Sequence, residues 1–121
     1  MPETILIADD HEEMRELVVE LLESQGYEVR QASHTQALLD EVARDPPDLL
    51  IVDVNMPGDG GIAALNEIRK DRELDAMPVL ILSGSVDLLP EWLEETGADA
   101  ALPKPCPIDE LHSTVRRLLG G

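Results

Sequence analysis

The stretch Leu-Leu-Ile-Val-Asp at residues 49–53 is a run of apolar residues that ends at a carboxylate. Short apolar runs of this kind are typical of strands that are buried on both faces of a parallel sheet. Three other runs also end at a charged or hydroxyl residue: residues 5–8 stop at Asp9 and Asp10, residues 79–82 at Ser83, and residues 100–103 at Lys104. Because the carboxyl ends of parallel strands lie at one edge of the sheet, we expect these side chains around one crevice.

The spacing of apolar residues between these runs predicts the fold class. Candidate strands at residues 4–8, 28–32, 49–52, 79–83 and 98–102 alternate with longer segments of helical periodicity, which is typical of a βα sheet. Short connections and right-handed crossovers favour a doubly wound arrangement. The sequence therefore predicts an α/β fold with a five-stranded parallel sheet and five helices.

Each predicted helix has its own apolar stripe. The first helix is the clearest, and Gly26 is its predicted stop. Asp45-Pro46-Pro47 ends the second helix because proline cannot continue a helix. The stripes, in chain order, are Met14, Leu17, Val18, Leu21 and Leu22; Leu38 and Val42; Ile62, Leu65 and Ile68; Leu89, Trp92 and Leu93; Ile108, Leu111, Val115 and Leu118.

Composition narrows the function classes. Nine Lys and Arg against 26 Asp and Glu give a formal net charge of −17, which repels nucleic-acid phosphates, so we expect no direct DNA or RNA binding. No apolar run approaches the roughly 18 residues of a membrane span and no leader-like segment is visible, so we expect no membrane contact and a cytoplasmic location. The single cysteine, Cys106, excludes an internal disulfide. A chain of 121 residues is expected to form one domain, residues 1–121.

The side chains of the predicted crevice are suited to bind a divalent cation and a phosphoryl group. Three carboxylates repel one another, and a hard cation such as Mg²⁺ removes that repulsion while leaving room for phosphate oxygens. Asp53, at the end of the middle strand, is then the candidate nucleophile toward phosphorus, with Lys104 and Ser83 against the phosphoryl oxygens.

Each of these residues also has a purely structural interpretation. Asp10 followed three residues later by Glu13 is typical of a helix N-cap, Ser83 of a turn, and Lys104 of an exposed lysine. A phosphatase of the haloacid dehalogenase type is disfavoured because Asn55 stands where that chemistry needs a second aspartate.

Taken together, four segments resemble the receiver domain of two-component response regulators. They are Asp9-Asp10, residues 53–58 (Asp-Val-Asn-Met-Pro-Gly), residues 82–84 (Leu-Ser-Gly) and residues 97–105, which end in Leu-Pro-Lys-Pro. The resemblance covers essentially the whole chain. It implies a flavodoxin-like, CheY-like fold with strand order 2-1-3-4-5.

The resemblance also implies a role for each site residue. Asp53 would accept a phosphoryl group from a phosphohistidine on a sensor histidine kinase or a histidine phosphotransfer protein. Mg²⁺ would bind at Asp53 and directly to Asp10, through water to Asp9, and to the main-chain carbonyl of Asn55. Ser83 and Lys104 would hold the phosphoryl oxygens, and phosphorylation would shift the populations of two conformations that partners distinguish.

Three positions depart from the usual receiver pattern: Ala101 replaces an aromatic residue three before the lysine, Gly60 replaces a frequent aspartate, and Cys106 replaces a large apolar residue. The expected function is a phosphorylation-switched signalling domain that is not an enzyme on an external substrate. The alternative is a docking module whose output is independent of phosphorylation, because Ala101 removes the switch aromatic. Expected partners are an output domain C-terminal to this chain or a downstream protein, and a second copy through the fourth and fifth helices.

Overall fold

A computed structural model describes residues 2–53, 60–71, 76–83, 97–103 and 107–120. Its five strands are β1 (Thr4–Ala8), β2 (Glu28–Ala32), β3 (Leu49–Asp53), β4 (Val79–Ser83) and β5 (Ala100–Pro103). They form one sheet in the order β2-β1-β3-β4-β5, and every neighbouring pair is parallel. The predicted sheet and its strand order are confirmed.

Four helices lie within the described ranges: α1 (Glu12–Ser24), α2 (Thr35–Arg44), α3 (Gly60–Arg69) and α4 (Ile108–Leu118). The segment predicted as a helix around Leu89 and Trp92 lies outside these ranges. None of the four helices combines the length and the apolar character needed to cross a bilayer.

Helix ends follow the local signals in the sequence. After α1, Gly26 adopts a φ of 95°, and the N–H groups of Gly26 and Tyr27 donate to the carbonyls of Glu23 and Leu22. This pairing is a Schellman motif, which favours glycine because the left-handed conformation strains other residues. The helix α2 ends before Pro46, as predicted.

The sheet separates two apolar layers because successive strand residues face opposite sides. One layer joins α2 and α3 to Leu6, Leu50, Val52 and Ile81, and the other joins α1 and α4 to Ile5, Ile7, Ile51 and Leu80. All these strand residues are fully buried. The two-sided burial confirms the doubly wound arrangement.

Two predicted stripe residues are exposed instead. Leu17 of α1 is 63% exposed and Ile108 of α4 is 62% exposed, although both belong to the apolar stripes that predict these helices. In α1 the buried residues are Val19 and Leu22, which shows that the helix is rotated about its axis relative to the predicted stripe.

The fifth strand begins two residues later than its predicted start at residue 98. Asp99 explains the shift, because its Oδ2 accepts a hydrogen bond from the N–H of Val79 at 2.8 Å and its own N–H donates to the Val79 carbonyl at 2.9 Å. A side-chain oxygen thus replaces a main-chain acceptor just before the regular ladder starts.

An arginine of the edge strand ties β2 to the C-terminal end of α2. Arg30 donates to the carbonyls of Glu41 at 2.8 Å and Asp45 at 2.6 Å, and its Nη2 lies 2.6 Å from the Glu41 carboxylate. The hydrogen bonds from Arg30 and then from Arg44 lower the pKa of Glu41 below its ordinary value of 4.5. Arg30 therefore adds donors at the C-terminal end of α2, where the Glu41 carbonyl also accepts from the N–H of Asp45 at 3.1 Å.

Candidate metal and phosphoryl site

The strand register brings two aspartates together at the carboxyl edge of the sheet. The pairing of β1 with β3 ends at Ala8 opposite Val52, so that the next residues along the two strands are Asp9 and Asp53. Both are buried, with 1% and 4% of their surface exposed. Neighbouring parallel strands thus supply two carboxylates to one position, because their side chains alternate in phase.

Asp10 completes a cluster of three carboxylates. One carboxylate oxygen from each of Asp9, Asp10 and Asp53 lies within 4.8 Å of the other two, and Asp10 is the exposed member. Two ligands of one Mg²⁺ ion lie about 3–4 Å apart because each bond is about 2.1 Å long. Small side-chain adjustments would therefore let the cluster hold a hard cation, and an exposed member leaves the ion open to water and phosphate oxygens.

Hydrogen bonds hold Asp9 in place within the cluster. Its Oδ1 accepts from the N–H of His11 at 2.9 Å, and its own N–H donates to the carbonyl of Ala32, the last residue of β2, at 3.0 Å. The helix α1 then begins at Glu12 with His11, not Asp10, as its N-cap residue. The N-cap interpretation of Asp10 was therefore wrong, which leaves its carboxylate available to the cluster.

Arg15 of α1 and Gln31 of β2 lie beside the cluster and were missed in the sequence. The Nη1 of Arg15 donates to the carbonyl oxygen of Asp9 at 2.7 Å, and its Nε donates to Oε1 of Gln31 at 2.8 Å. One signal was present: Arg15 is the single basic residue in a helix with five glutamates. Gln31 had no comparable signal, because its partner lies on another element.

The remaining predicted site residues are placed only in part. Ser83 is the last residue of β4, one position beyond Leu82, which pairs with Asp53, so its backbone lies at the same edge of the sheet. Its side chain is outside the described part of the structure. Asn55 and Lys104 lie wholly outside the described residues, although Lys104 directly follows Pro103, which pairs with Ser83.

Ala101, which stands where receiver domains commonly carry an aromatic residue, lies within the described part of the structure. Ala101 lies in β5, opposite Ile81 of β4, is half-buried and packs against the apolar layer that contains α2 and α3. A methyl group at this position offers no ring that could alternate between a buried and an exposed rotamer.

Comparison with known proteins agrees with this architecture. Residues 5–116 match the family profile of the response regulator receiver domain. This chain belongs to the response regulator receiver family. The receiver domain is 34% identical over 119 residues to the Sporulation initiation phosphotransferase F of Bacillus subtilis, covering 98% of this chain and 95% of that protein.

Other relatives are longer than this chain. The receiver domain is 36% identical over 121 residues to the Response regulator MprA of Mycolicibacterium vanbaalenii, covering 98% of this chain but 51% of that protein. This receiver chain therefore spans about half the length of the MprA relatives that it matches.

A solved relative also has the same fold and a ligand. The response regulator TrrA of Thermotoga maritima, whose structure is a complex with Mg²⁺-BeF, superposes with a TM-score of 0.85 at 31% sequence identity, covering 96% of this receiver chain and 98% of TrrA. The family and the fold are thus shown together, and the acidic cluster of this receiver domain is one that could bind a metal ion.

Proposed function

We propose that this receiver domain is the phosphoacceptor of a two-component phosphorelay, with Asp53 as the residue that is phosphorylated. The observation that carries the proposal is the convergence of Asp9, Asp10 and Asp53 within 4.8 Å at the carboxyl edge of the sheet. Membership of the receiver family supports the assignment.

The chemistry follows from the position of Asp53. A carboxylate oxygen of Asp53 attacks phosphorus, the new O–P bond forms as the N–P bond of a phosphohistidine breaks, and the histidine leaves with its nitrogen lone pair. The product is an acyl phosphate on Asp53. Burial of the Asp53 side chain, with 4% of its surface exposed, limits the access of bulk water to the reacting group.

Asp10, Asp9, Asp53 and the main-chain carbonyl of Asn55 are the proposed Mg²⁺ ligands, with Asp9 acting through water. When bound, Mg²⁺ would act as a Lewis acid that offsets the negative charge on the equatorial phosphoryl oxygens. Ser83 donates a hydrogen bond to one of these oxygens and Lys104 pairs with another. The chain's own cations and donors thereby stabilise the charge that develops in the transition state.

The proposed partners follow from the same role. The phosphoryl donor is a sensor histidine kinase or a histidine phosphotransfer protein. The signal passes to an output domain C-terminal to this chain or to a downstream protein. The MprA relatives, which are about twice as long as this chain, support the output domain. A second copy that contacts α4 and the segment before β5 is the proposed dimer partner. The domain modifies itself rather than an external substrate.

Phosphorylation by a small donor tests the proposal. The protein is incubated with MgCl₂ and either acetyl phosphate or phosphoramidate, which contains the P–N bond of the proposed donor, and its intact mass is measured. We expect the gain of one phosphoryl group, which hydroxylamine removes because an acyl phosphate is labile to that nucleophile. A chain that stays unmodified by both donors would refute the assignment.

Three variants locate the reaction. Asp53→Ala should abolish the mass gain, and Asp10→Ala should strongly weaken Mg²⁺ binding and the yield. Asp40→Ala is the matched control because Asp40 is exposed on α2, away from the cluster. Equal yields from all three would place the modification elsewhere.

Ala101 favours a second candidate, a docking module whose output does not depend on phosphorylation. The two candidates differ in one measurement: the oligomeric state, or affinity for a partner, with and without Mg²⁺ and beryllofluoride. A difference between the two states supports the switch, and identical values with full beryllofluoride binding support the docking module.

A further inference from the structure

Arg15 makes one hydrogen bond to the acidic cluster and a second to the edge strand β2. Its Nη1 donates to the carbonyl of Asp9 at 2.7 Å, in a part-buried setting, and its Nε donates to Oε1 of Gln31 at 2.8 Å. We infer that Arg15, held by Gln31, is a positioning residue for the Mg²⁺ ligands: it fixes the peptide unit between Asp9 and Asp10. This inference rests on the proposed function.

The peptide geometry gives the reason. The Asp9 carbonyl belongs to the planar unit that links Asp9 to Asp10, so its direction fixes ψ of Asp9, one of the two dihedral angles that orient the two Cα–Cβ bonds relative to each other. On the other side of Asp9, the N–H donates to the Ala32 carbonyl at 3.0 Å. Both peptide units that flank Asp9 are therefore attached to consecutive residues of β2, one directly and one through Arg15.

The fork shape of the guanidinium suits this task. Nε and Nη1 belong to one rigid plane, so a single side chain connects the loop after β1 with the edge strand. The Asp9 carboxylate is also fixed from within the loop, since its Oδ1 accepts from the N–H of His11 at 2.9 Å. Together these bonds hold the Asp9 carboxylate and the peptide unit that leads to Asp10 before any cation binds, which reduces the cost of ordering the ligands on binding.

Charge and position make opposite predictions for Arg15. A guanidinium close to a cation site repels the cation, so that removal of its charge alone should strengthen Mg²⁺ binding. Loss of the hydrogen bond to Asp9 should weaken Mg²⁺ binding instead, because the ligand geometry is no longer held. The sign of the change therefore separates a positioning role from a purely electrostatic one.

The experiment is a calorimetric titration of the folded protein with MgCl₂ at fixed ionic strength, with the melting temperature recorded for every variant. Arg15→Gln should raise the Kd for Mg²⁺ roughly tenfold, the lower end of the range for residues that orient metal ligands. Arg15→Lys, which keeps the charge but cannot bridge both acceptors, and Gln31→Ala, which removes the anchor, should each raise the Kd by a smaller factor. Arg116→Gln, on the exposed side of α4, is the charge-matched control and should leave the Kd unchanged.

Binding by Arg15→Gln that is as tight as in the parent, or tighter, would overturn the inference. If Arg15→Gln does not fold, unchanged Kd values in both Arg15→Lys and Gln31→Ala would overturn it equally. If the parent is phosphorylated at Asp53 and the Arg15 variants bind Mg²⁺ normally, only the positioning role is rejected. A parent that takes up neither Mg²⁺ nor a phosphoryl group rejects the proposed function itself.

Discussion

Replacement of Asp53 by asparagine should stabilise the metal-free protein. Asp53 and Asp9 are both buried, and their carboxylate oxygens lie within 4.8 Å of each other and of Asp10. Asparagine has nearly the same shape but no charge, so that the substitution removes repulsion without opening a cavity. Most substitutions of a buried residue destabilise, which makes the opposite sign informative.

The separation of the carboxylates sets the magnitude. At an effective dielectric constant of about 20, two unit charges 4.8 Å apart repel by about 3.5 kcal/mol, and shorter separations repel more. Solvent screens the exposed Asp10, and asparagine accepts weaker hydrogen bonds than a carboxylate, so part of this gain is lost. We expect a net increase of about 1–3 kcal/mol in the free energy of unfolding, or roughly 4–12 °C in Tm for a domain of this size.

The free energy of unfolding is measured by urea titration in EDTA, with circular dichroism as the readout, for the parent, Asp53→Asn and the control Asp40→Asn. Both variants change the net charge by one unit, but Asp40 is exposed on α2, where its carboxylate accepts a hydrogen bond from Gln36 at 2.9 Å. Asp40→Asn should therefore change the stability by less than about 0.5 kcal/mol. Saturating MgCl₂ should then narrow the gap, because the cation stabilises the parent by binding its folded state.

Two results would refute this reasoning. An Asp53→Asn protein that is less stable than the parent in EDTA would mean that hydrogen bonds to the carboxylate outweigh repulsion within the cluster. An equal gain in Asp40→Asn would mean that the overall charge of −17, rather than the three neighbouring carboxylates, limits the stability.

Three further predictions concern the framework around the site. Arg30 lowers the pKa of Glu41 below 4.5, so the stability that ionised Glu41 contributes is fully present above pH 4.5 and is lost as the pH falls through the lowered pKa. The difference in unfolding free energy between the parent and Glu41→Gln, measured by urea titration, should therefore disappear in acid. A difference that grows as the pH falls would contradict this prediction. His34 caps α2 by accepting the N–H of Ala37 at 3.1 Å, so His34→Ala should cost about 0.5–2 kcal/mol and His34→Asn much less. Equal losses would mean that the cap contributes nothing. Gly26 and Gly97 have φ values of 95° and 73°, so alanine should cost about 1–2 kcal/mol at each by thermal unfolding, and more at Gly97, where its Cβ would lie 3.1 Å from Arg69 Cγ. A smaller loss at Gly97 would show that Arg69 yields freely.

Local sequence signals were sufficient for the presence of the five strands and of the four helices that the structure describes, and for the cover on both faces of the sheet. Apolar runs such as residues 49–52 have no polar face and therefore need cover on both sides, which predicts a central parallel strand. Pro46 and Gly26 mark helix ends through backbone restrictions that depend on the residue itself. These features follow from short-range sterics and hydropathy, which the chain order alone contains.

Side-chain orientation was less predictable. An apolar stripe of the width seen in α1 is compatible with several rotations of the helix, and packing on the twisted sheet selected the one that buries Val19 and exposes Leu17. The sequence also left the start of α1 open: Asp10 and His11 are adjacent to it, and in the structure His11 is the N-cap residue while its N–H donates to Asp9 Oδ1.

The amino-acid sequence by itself determined which residue types end each strand, and hence that carboxylates would lie at one edge of a parallel sheet. Only the tertiary structure decided that Asp9 and Asp53 are adjacent in register, and that Arg15 and Gln31 attach the Asp9–Asp10 peptide to the edge strand. The physical reason is that alternation and periodicity are local properties of the chain. Register and contacts between elements depend instead on the packing of residues distant in sequence.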